Sequence, residues 1–164
     1  MTYIKIVIFT IILGLLAGGK ILFHLPVGPE YMLCFSVCYA FADRKKIHAV
    51  VMSAVIAIIS SALTDRYLLF CVMEYGIAAC FISELFTKKT KLDIVFCMAV
   101  TLAITLVGET VFYELFILNN VEIGNFFDII IRESALNVIA SAIMYVILFK
   151  IFNPKKKRYR ITVE

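Results

Sequence analysis

Continuous apolar runs, each about as long as a bilayer is thick, constrain the fold of this chain more than any motif does. A transmembrane helix needs roughly 20 apolar residues at ~1.5 Å each, and of the 164 residues here 63% are hydrophobic and 17% charged. The runs do not alternate between apolar and polar residues, which favours helices over a β-barrel. The sequence therefore predicts an all-α, polytopic membrane protein: one integral membrane domain, folded as a six-transmembrane-helix bundle.

Breaks between the runs define the predicted spans. They lie at residues 3–23, 29–42, 47–64, 67–86, 92–118 and 134–152, and a basic cytoplasmic tail follows at 153–164. Pro26, Gly28 and Pro29 end the first span because proline removes a backbone donor and restricts the residue before it. The first run is too long for a signal peptide and no cleavage site follows it, so we expect it to be retained. Residues 119–133 mix polar and bulky apolar side chains, which is typical of a segment on the membrane surface or a re-entrant cap.

The distribution of Lys and Arg indicates the orientation. The N-terminus, the second and fourth connections and the C-terminal tail carry one, three, three and six of these residues, whereas the opposite side has only Lys20, Arg66 and Arg132. Positively charged connections stay in the cytoplasm, so both termini are predicted to be cytoplasmic. We interpret the basic tail as a topology determinant, with attraction to anionic lipid in the bilayer as the alternative, and we do not expect nucleic acid to be a partner.

Small side chains recur at every fourth position of the third span. Ala49, Ser53, Ala57 and Ser61 form this stripe, and the next step along it reaches Asp65, a carboxylate at the outer end of the span. In lipid, such a stripe lets a neighbouring backbone approach closely enough for dispersion contacts and interhelical hydrogen bonds. We therefore predict that this helix is the centre of the bundle. The alternative is that small residues fall there by chance, because the span is rich in Ala and Ser.

The first span carries a second close-packing pattern. Gly14 and Gly18 form a GxxxG arrangement, which allows another helix to pack closely against it. Both of the predicted functions discussed below require docking onto another membrane protein. The first and third spans are therefore the predicted partner-facing helices.

Acidic residues inside the spans are expected to be buried and hydrogen-bonded, since a carboxylate is costly in a membrane. Glu74 is the deepest, about 12 Å from the outer end of the fourth span at ~1.5 Å per residue. Its expected partners are Asn137, Ser60 or a tyrosine hydroxyl. Glu109 and Glu114 lie in the outer part of the fifth span. Structural hydrogen bonding is the favoured interpretation of Glu74, and a proton or ligand relay is the alternative.

Motifs for catalysis are missing from the sequence. It contains no Walker A loop, HExxH or GxSxG, and six short-looped spans leave little room for a water-filled catalytic site. Cys34 and Cys38 stand at i,i+4 and can share a helix face, but His24 and His48 lie in other segments, so we interpret the cysteines as small apolar residues. We expect a protein that is not an enzyme and has no catalytic residue, no metal site and no cofactor.

The order of several segments resembles a known family. PEYMLCFSVCYAF begins at Pro29 and is followed by a basic turn, the small-residue helix ending at Asp65, EYGIAACFISELFTKK, FYELFIL, and RESALNVIASAIMYVIL with Asn137. Over residues 26–152 this order resembles that of the rod shape-determining protein MreD of bacteria. Members of that family usually have glycines along the third span and Gly-Leu before the Asp, where this chain has Ala, Ser and Ala62-Leu63.

The resemblance implies a non-enzymatic scaffold of the bacterial cell-elongation complex, which directs peptidoglycan synthesis and rod shape. Such a protein would lie in the cytoplasmic membrane and bind a single-span protein of the MreC type. It would thereby link MreB filaments to the RodA glycosyltransferase and a penicillin-binding transpeptidase.

An alternative function follows from a second likeness, because the MreD family is similar to the substrate-binding S components of energy-coupling-factor vitamin transporters. In that case Asp65, Glu109, Glu114 and residues 119–133 would form a pocket that opens outward. A binder needs a cavity of some hundreds of Å³ with converging polar groups, whereas a scaffold has a filled interior. A small secondary transporter is less favoured, since the two halves show no inverted repeat.

The predicted topology can be tested with reporter fusions. A green fluorescent protein fused after Lys157 is expected to fluoresce, and alkaline phosphatase at the same place to be inactive, because phosphatase requires the oxidising outer compartment. The matched fusion after Asn120, in the last outer connection, is expected to give the opposite pair of results. An active phosphatase after Lys157 would contradict the six-span topology.

Overall fold

Helices make up the part of the chain that the structure describes. The computed structural model describes residues 8, 10–12, 30–43, 45–64, 67–86, 88, 90, 92–116 and 126–152, among which there is no strand. Within these residues the helices are α1 (Tyr31–Asp43), α2 (Lys46–Thr64), α3 (Leu68–Leu85), α4 (Asp93–Phe116) and α5 (Phe126–Phe152). They correspond to the predicted second to sixth spans. Most of the predicted first span, with Gly14 and Gly18, lies outside the described residues, as does Asp65.

Four of these helices are long and apolar enough to cross a membrane. The qualifying segments are Lys46–Leu63, Leu68–Leu85, Asp93–Val111 and Phe127–Ile151. Helix α1 is also apolar but has only 13 residues, which is about 20 Å of helix against a hydrocarbon core of about 30 Å. The prediction of a helical, multi-pass membrane protein is confirmed.

Helix α1 lies at the centre of the described bundle. It contacts each of the other four helices, and every residue from Met32 to Ala42 is buried. A helix that is apolar on all sides is expected to be enclosed on all sides. The prediction that the third span is the centre of the bundle is therefore wrong, because only 28% of the membrane window of α2 is buried inside the protein.

The small residues of α2 instead pack α2 against its neighbours. Three members of the predicted stripe are fully buried, namely Ala49, Ser53 and Ala57. The hydroxyl of Ser36 in α1 donates a hydrogen bond to the Ser53 hydroxyl at 2.8 Å, so the two backbones lie close together. Ser61 is only partly buried and Ser60 is fully buried. Steps of four residues advance about 40° beyond a full turn, so the stripe has rotated by about 120° when it reaches Ser61.

Helix α5 begins at Phe126, eight residues before the predicted start of the sixth span. Its buried face extends into these first turns, since Ile130 and Glu133 are buried in register with Asn137. On the opposite face, Arg132 pairs with Asp128 at 2.8 Å, one turn away, and such pairs support a helix. The surface segment predicted at 119–133 therefore does not hold for residues 126–133, and residues 117–125 lie outside the described ones.

The end of the bundle that is predicted to face the cytoplasm is held together by aromatic and charged contacts. The ring of Phe86, just after α3, lies 5.0 Å from that of Phe41 in α1 and 5.1 Å from that of Phe96 in α4. Lys46 at the start of α2 forms an ion pair with Glu84 near the end of α3. These contacts join four helices at one end.

Replacing Ala57 by leucine is expected to destabilise the bundle, because extra methylene groups in a close-packed interface cost about 1–3 kcal/mol. Ala57 is fully buried. The matched control is Ala62→Leu, which adds the same atoms to an exposed position of the same helix. Unfolding in mixed detergent micelles, followed by circular dichroism, measures the two free energies of unfolding. Equal stability of the two variants would show that α2 does not pack as described.

Candidate functional site

Glu30 marks the point where the central helix begins. It directly precedes α1, its backbone oxygen accepts a hydrogen bond from the Cys34 N–H at 3.1 Å, and its side chain is buried. The carboxylate oxygen Oε1 accepts a hydrogen bond from the Tyr75 hydroxyl at 3.2 Å. Tyr75 lies seven residues into α3, or about 10 Å from its beginning. The carboxylate is therefore located inside the bundle, at the positive end of the α1 dipole.

Asn137 of α5 joins this helix start to two neighbouring helices. Its Oδ1 atom accepts a hydrogen bond from the backbone N–H of Glu30 at 2.6 Å. Its Nδ2 atom donates to the Thr105 hydroxyl in α4 at 3.1 Å. N–H groups at a helix start have no acceptor within their own helix, so Asn137 supplies an acceptor that the short α1 requires from outside. Asn137 and Thr105 are both fully buried.

Ser60 of α2 completes the arrangement on the other side. Its hydroxyl oxygen lies 3.1 Å from the Tyr75 hydroxyl oxygen. Tyr75 donates its single proton to the Glu30 carboxylate, so Ser60 acts as donor to the tyrosine oxygen. The hydrogen-bonded chain has five members, one at the start of or within each helix from α1 to α5; we call it the buried polar network. Its members are Ser60, Tyr75, Glu30, Asn137 and Thr105.

The chemistry of the buried polar network is that of a structural connection. Its members donate to and accept from one another, and in a low-dielectric interior such bonds reinforce each other. The Thr105 hydroxyl and the Asn137 amide that donates to it are both fully buried. In the described part of the chain, no three His, Cys, Asp or Glu side chains are grouped so that they could hold a metal ion. The network thus fixes where five helices meet.

Glu74, the deepest predicted acid, lies next to α4. It is partly buried, and its carboxylate rests against Gly108 of α4, where an added Cβ atom would lie 2.9 Å from the Glu74 Cδ atom. Of its predicted partners, Asn137 binds Glu30 and Thr105, and Ser60 binds Tyr75; the hydrogen bonding predicted for Glu74 stays a prediction. Glycine at position 108 makes room for the carboxylate between α3 and α4.

Glu30 is the central residue that the sequence analysis missed. The signal was present in the sequence, since Glu30 follows Pro29 and immediately precedes an apolar run. An acidic residue at that position is favoured at a helix start. We read the segment as the beginning of a membrane span, so Glu30 was not expected to be buried. It became a buried residue because α1 is short and begins within the bundle.

Among the remaining predicted acids, the structure describes the side chain of Glu109. Glu109 is partly buried in α4. Glu114 belongs to the same helix, but its side chain lies outside the described residues, as does the whole of Asp65. The outward-opening pocket predicted from Asp65, Glu109 and Glu114 therefore stays a prediction, because only Glu109 has a described side chain.

The cysteines of α1 share one face, as their spacing predicts, and that face packs on α5. The thiol of Cys34 donates to the Asn137 carbonyl oxygen at 3.4 Å, and that of Cys38 donates to the Ser141 carbonyl oxygen at 3.2 Å. The Cys38 sulfur also lies 3.5 Å from the sulfur of Cys97 in α4. Small side chains at these positions let α1 approach the backbone of α5.

Comparison of the chain with models of protein families, with curated proteins and with solved structures finds no match. The likeness to MreD therefore depends on the sequence segments quoted above. Any function has to be argued from those segments and from the geometry of the bundle.

A double-mutant cycle on Ser60→Ala and Tyr75→Phe tests the buried polar network. Each single change removes the bond between the two hydroxyls, so the double variant is expected to lose less stability than the sum of the two. The expected coupling is about 0.6 kcal/mol and at most about 1.7 kcal/mol, as found for hydrogen bonds between membrane helices. The free energies of unfolding in mixed micelles give this coupling.

The matched control cycle pairs Tyr75→Phe with Ser53→Ala. Ser53 is also a fully buried serine of α2, but it binds Ser36. The effects of this second pair are expected to add, because the residues share no partner. Equal coupling in both cycles would contradict the hydrogen-bonded chain described here.

Proposed function

We propose that this chain is a non-enzymatic membrane scaffold of the MreD type. It crosses the bacterial cytoplasmic membrane six times, with both termini in the cytoplasm. It binds a single-span partner of the MreC type, and through that partner it connects MreB filaments with RodA and a penicillin-binding transpeptidase. The work of such a protein is to hold other membrane proteins in a defined arrangement during cell elongation.

The proposal is supported by what occupies the centre of the bundle, which is the buried helix α1. Where a vitamin binder has a cavity of roughly 300–1,000 Å³ lined by converging polar groups, this chain has the buried side chains of Met32 to Ala42. Glu30, Tyr75, Asn137 and Thr105 near that centre bind one another through the buried polar network. In the described residues, a centre occupied by the buried side chains of α1 suits a rigid scaffold better than a small-molecule binder.

The partner surface of such a scaffold is expected on the outside of the bundle. The small residues Ala49, Ser53 and Ala57, which we predicted as a partner-binding stripe, are fully buried within the chain. They serve packing between its own helices and are not accessible to a second protein. Gly14 and Gly18 lie outside the described residues, so the described surfaces of α2 to α5 are the ones to consider.

Copurification tests the proposal. The tagged chain, expressed together with the MreC-type single-span protein of the same bacterium, is expected to retain that protein through detergent purification, and an unrelated single-span protein of equal length is not. Native mass spectrometry of the purified complex is expected to show the two proteins without a bound vitamin. Loss of the MreC-type protein in mild detergent, or retention of a vitamin together with an ATPase module, would contradict the proposal.

A further inference from the structure

Two basic connections of the chain lie side by side at the end of the bundle that is predicted to face the cytoplasm. Lys46, at the start of α2, forms an ion pair with Glu84 near the end of α3. The ring of Phe86, just after α3, lies 5.0 Å from that of Phe41 near the end of α1. The connection that leads into α2 and the connection that leaves α3 are therefore held next to one another by contacts between their own ends.

These two connections carry twice as many cations as acids. Residues 43–48 and 84–93 contain three acidic side chains and six basic ones, which are Arg44, Lys45, Lys46, Lys88, Lys89 and Lys91. The structure describes the side chains of Lys45, Lys46 and Lys88, and all three are exposed. Folding thus gathers into one surface positive charges that lie in two separate segments of the chain.

The acids of these connections leave an excess of positive charge. Asp43 accepts a hydrogen bond from the Tyr39 hydroxyl at 3.2 Å. Asp93 is 2% exposed, and its Oδ1 atom accepts from the Thr90 hydroxyl at 2.8 Å. Glu84 pairs with Lys46. The excess remains whichever lysine each acid approaches, because three acids cannot neutralise six cations.

Apolar side chains border these cations. Ile47, next to Lys46, is 76% exposed, and Leu85 and Leu92 are 61% and 58% exposed. Exposed apolar side chains at the end of a membrane-spanning helix can contact the acyl chains of lipids, and neighbouring lysines can reach the headgroups. We call this region the basic surface, defined by Lys45, Lys46, Ile47, Leu85, Lys88 and Leu92.

We propose that the basic surface binds an anionic phospholipid. The phosphate group contacts the three lysines, and the acyl chains contact the three apolar side chains. Clusters of basic residues at the cytoplasmic ends of membrane helices attract such headgroups. A free phosphate ion would use the lysines alone, so the apolar border favours a lipid. This inference concerns the bilayer and does not depend on the proposed function.

Native mass spectrometry of the full chain in detergent measures lipid binding. Phosphatidylglycerol and phosphatidylcholine with identical acyl chains are titrated separately. The first phosphatidylglycerol is expected to bind at least about tenfold more tightly, because several lysines attract it, whereas the choline group neutralises the phosphate of the other lipid. Inorganic phosphate at the same concentration is expected not to displace the bound phosphatidylglycerol.

Substitutions locate the binding on the chain. Lys45→Gln and Lys88→Gln, each made alone, are expected to lower the affinity for phosphatidylglycerol about fivefold, which corresponds to ~1 kcal/mol for each cation near a membrane surface. The matched control is Lys150→Gln, which removes an exposed lysine from the last turn of α5 and is expected to leave the affinity unchanged. Glu84→Gln removes the acid beside Lys46 and is expected to raise the affinity.

Several outcomes would overturn the proposal. Equal affinity for the two lipids would show that the headgroup charge is not recognised. Displacement by inorganic phosphate would indicate an anion site without lipid contacts. An equal loss from Lys150→Gln, or no gain from Glu84→Gln, would assign the binding to the overall charge of the chain. Circular dichroism identifies any variant that has lost its fold, and the comparison of the two lipids requires no variant.

Discussion

The rest of the structure depends on the enclosure of the short helix α1, which has 13 residues and is buried from Met32 to Ala42. A helix start in a low-dielectric interior carries N–H groups and a dipole that require partners, and water cannot supply them there. In this chain Asn137 accepts from the first N–H, and Tyr75 donates to the Glu30 carboxylate. Each partner lies on a different helix. The hydrogen bonds that satisfy the polar groups at the start of α1 therefore also fix the positions of its neighbours.

Packing and hydrogen bonding are closely linked around α1. Lipid offers no hydrophobic drive for apolar helices to associate, so close backbone approach and interhelical bonds have to hold the bundle together. Ser36 bonds to Ser53 of α2, and the thiol of Cys38 bonds to the Ser141 carbonyl oxygen of α5. The same side chains are small enough to let those helices come near. The centre of the bundle is thus used to stabilise the protein itself.

This use of the interior bears on function. A chain whose central polar groups bind one another is suited to present an outer surface to other membrane proteins.

The sequence by itself determined the helical membrane class, since the apolar runs leave no other solution for the backbone. It also placed Ala49, Ser53 and Ala57 on one face, because helical periodicity is a local property. Tertiary structure alone decided that α1 is central, that Ser60 and not Ser61 is fully buried, and that Glu30 is the acid at the centre. Periodicity indicates which residues share a face, but which face meets which neighbour depends on all the helices packing at once.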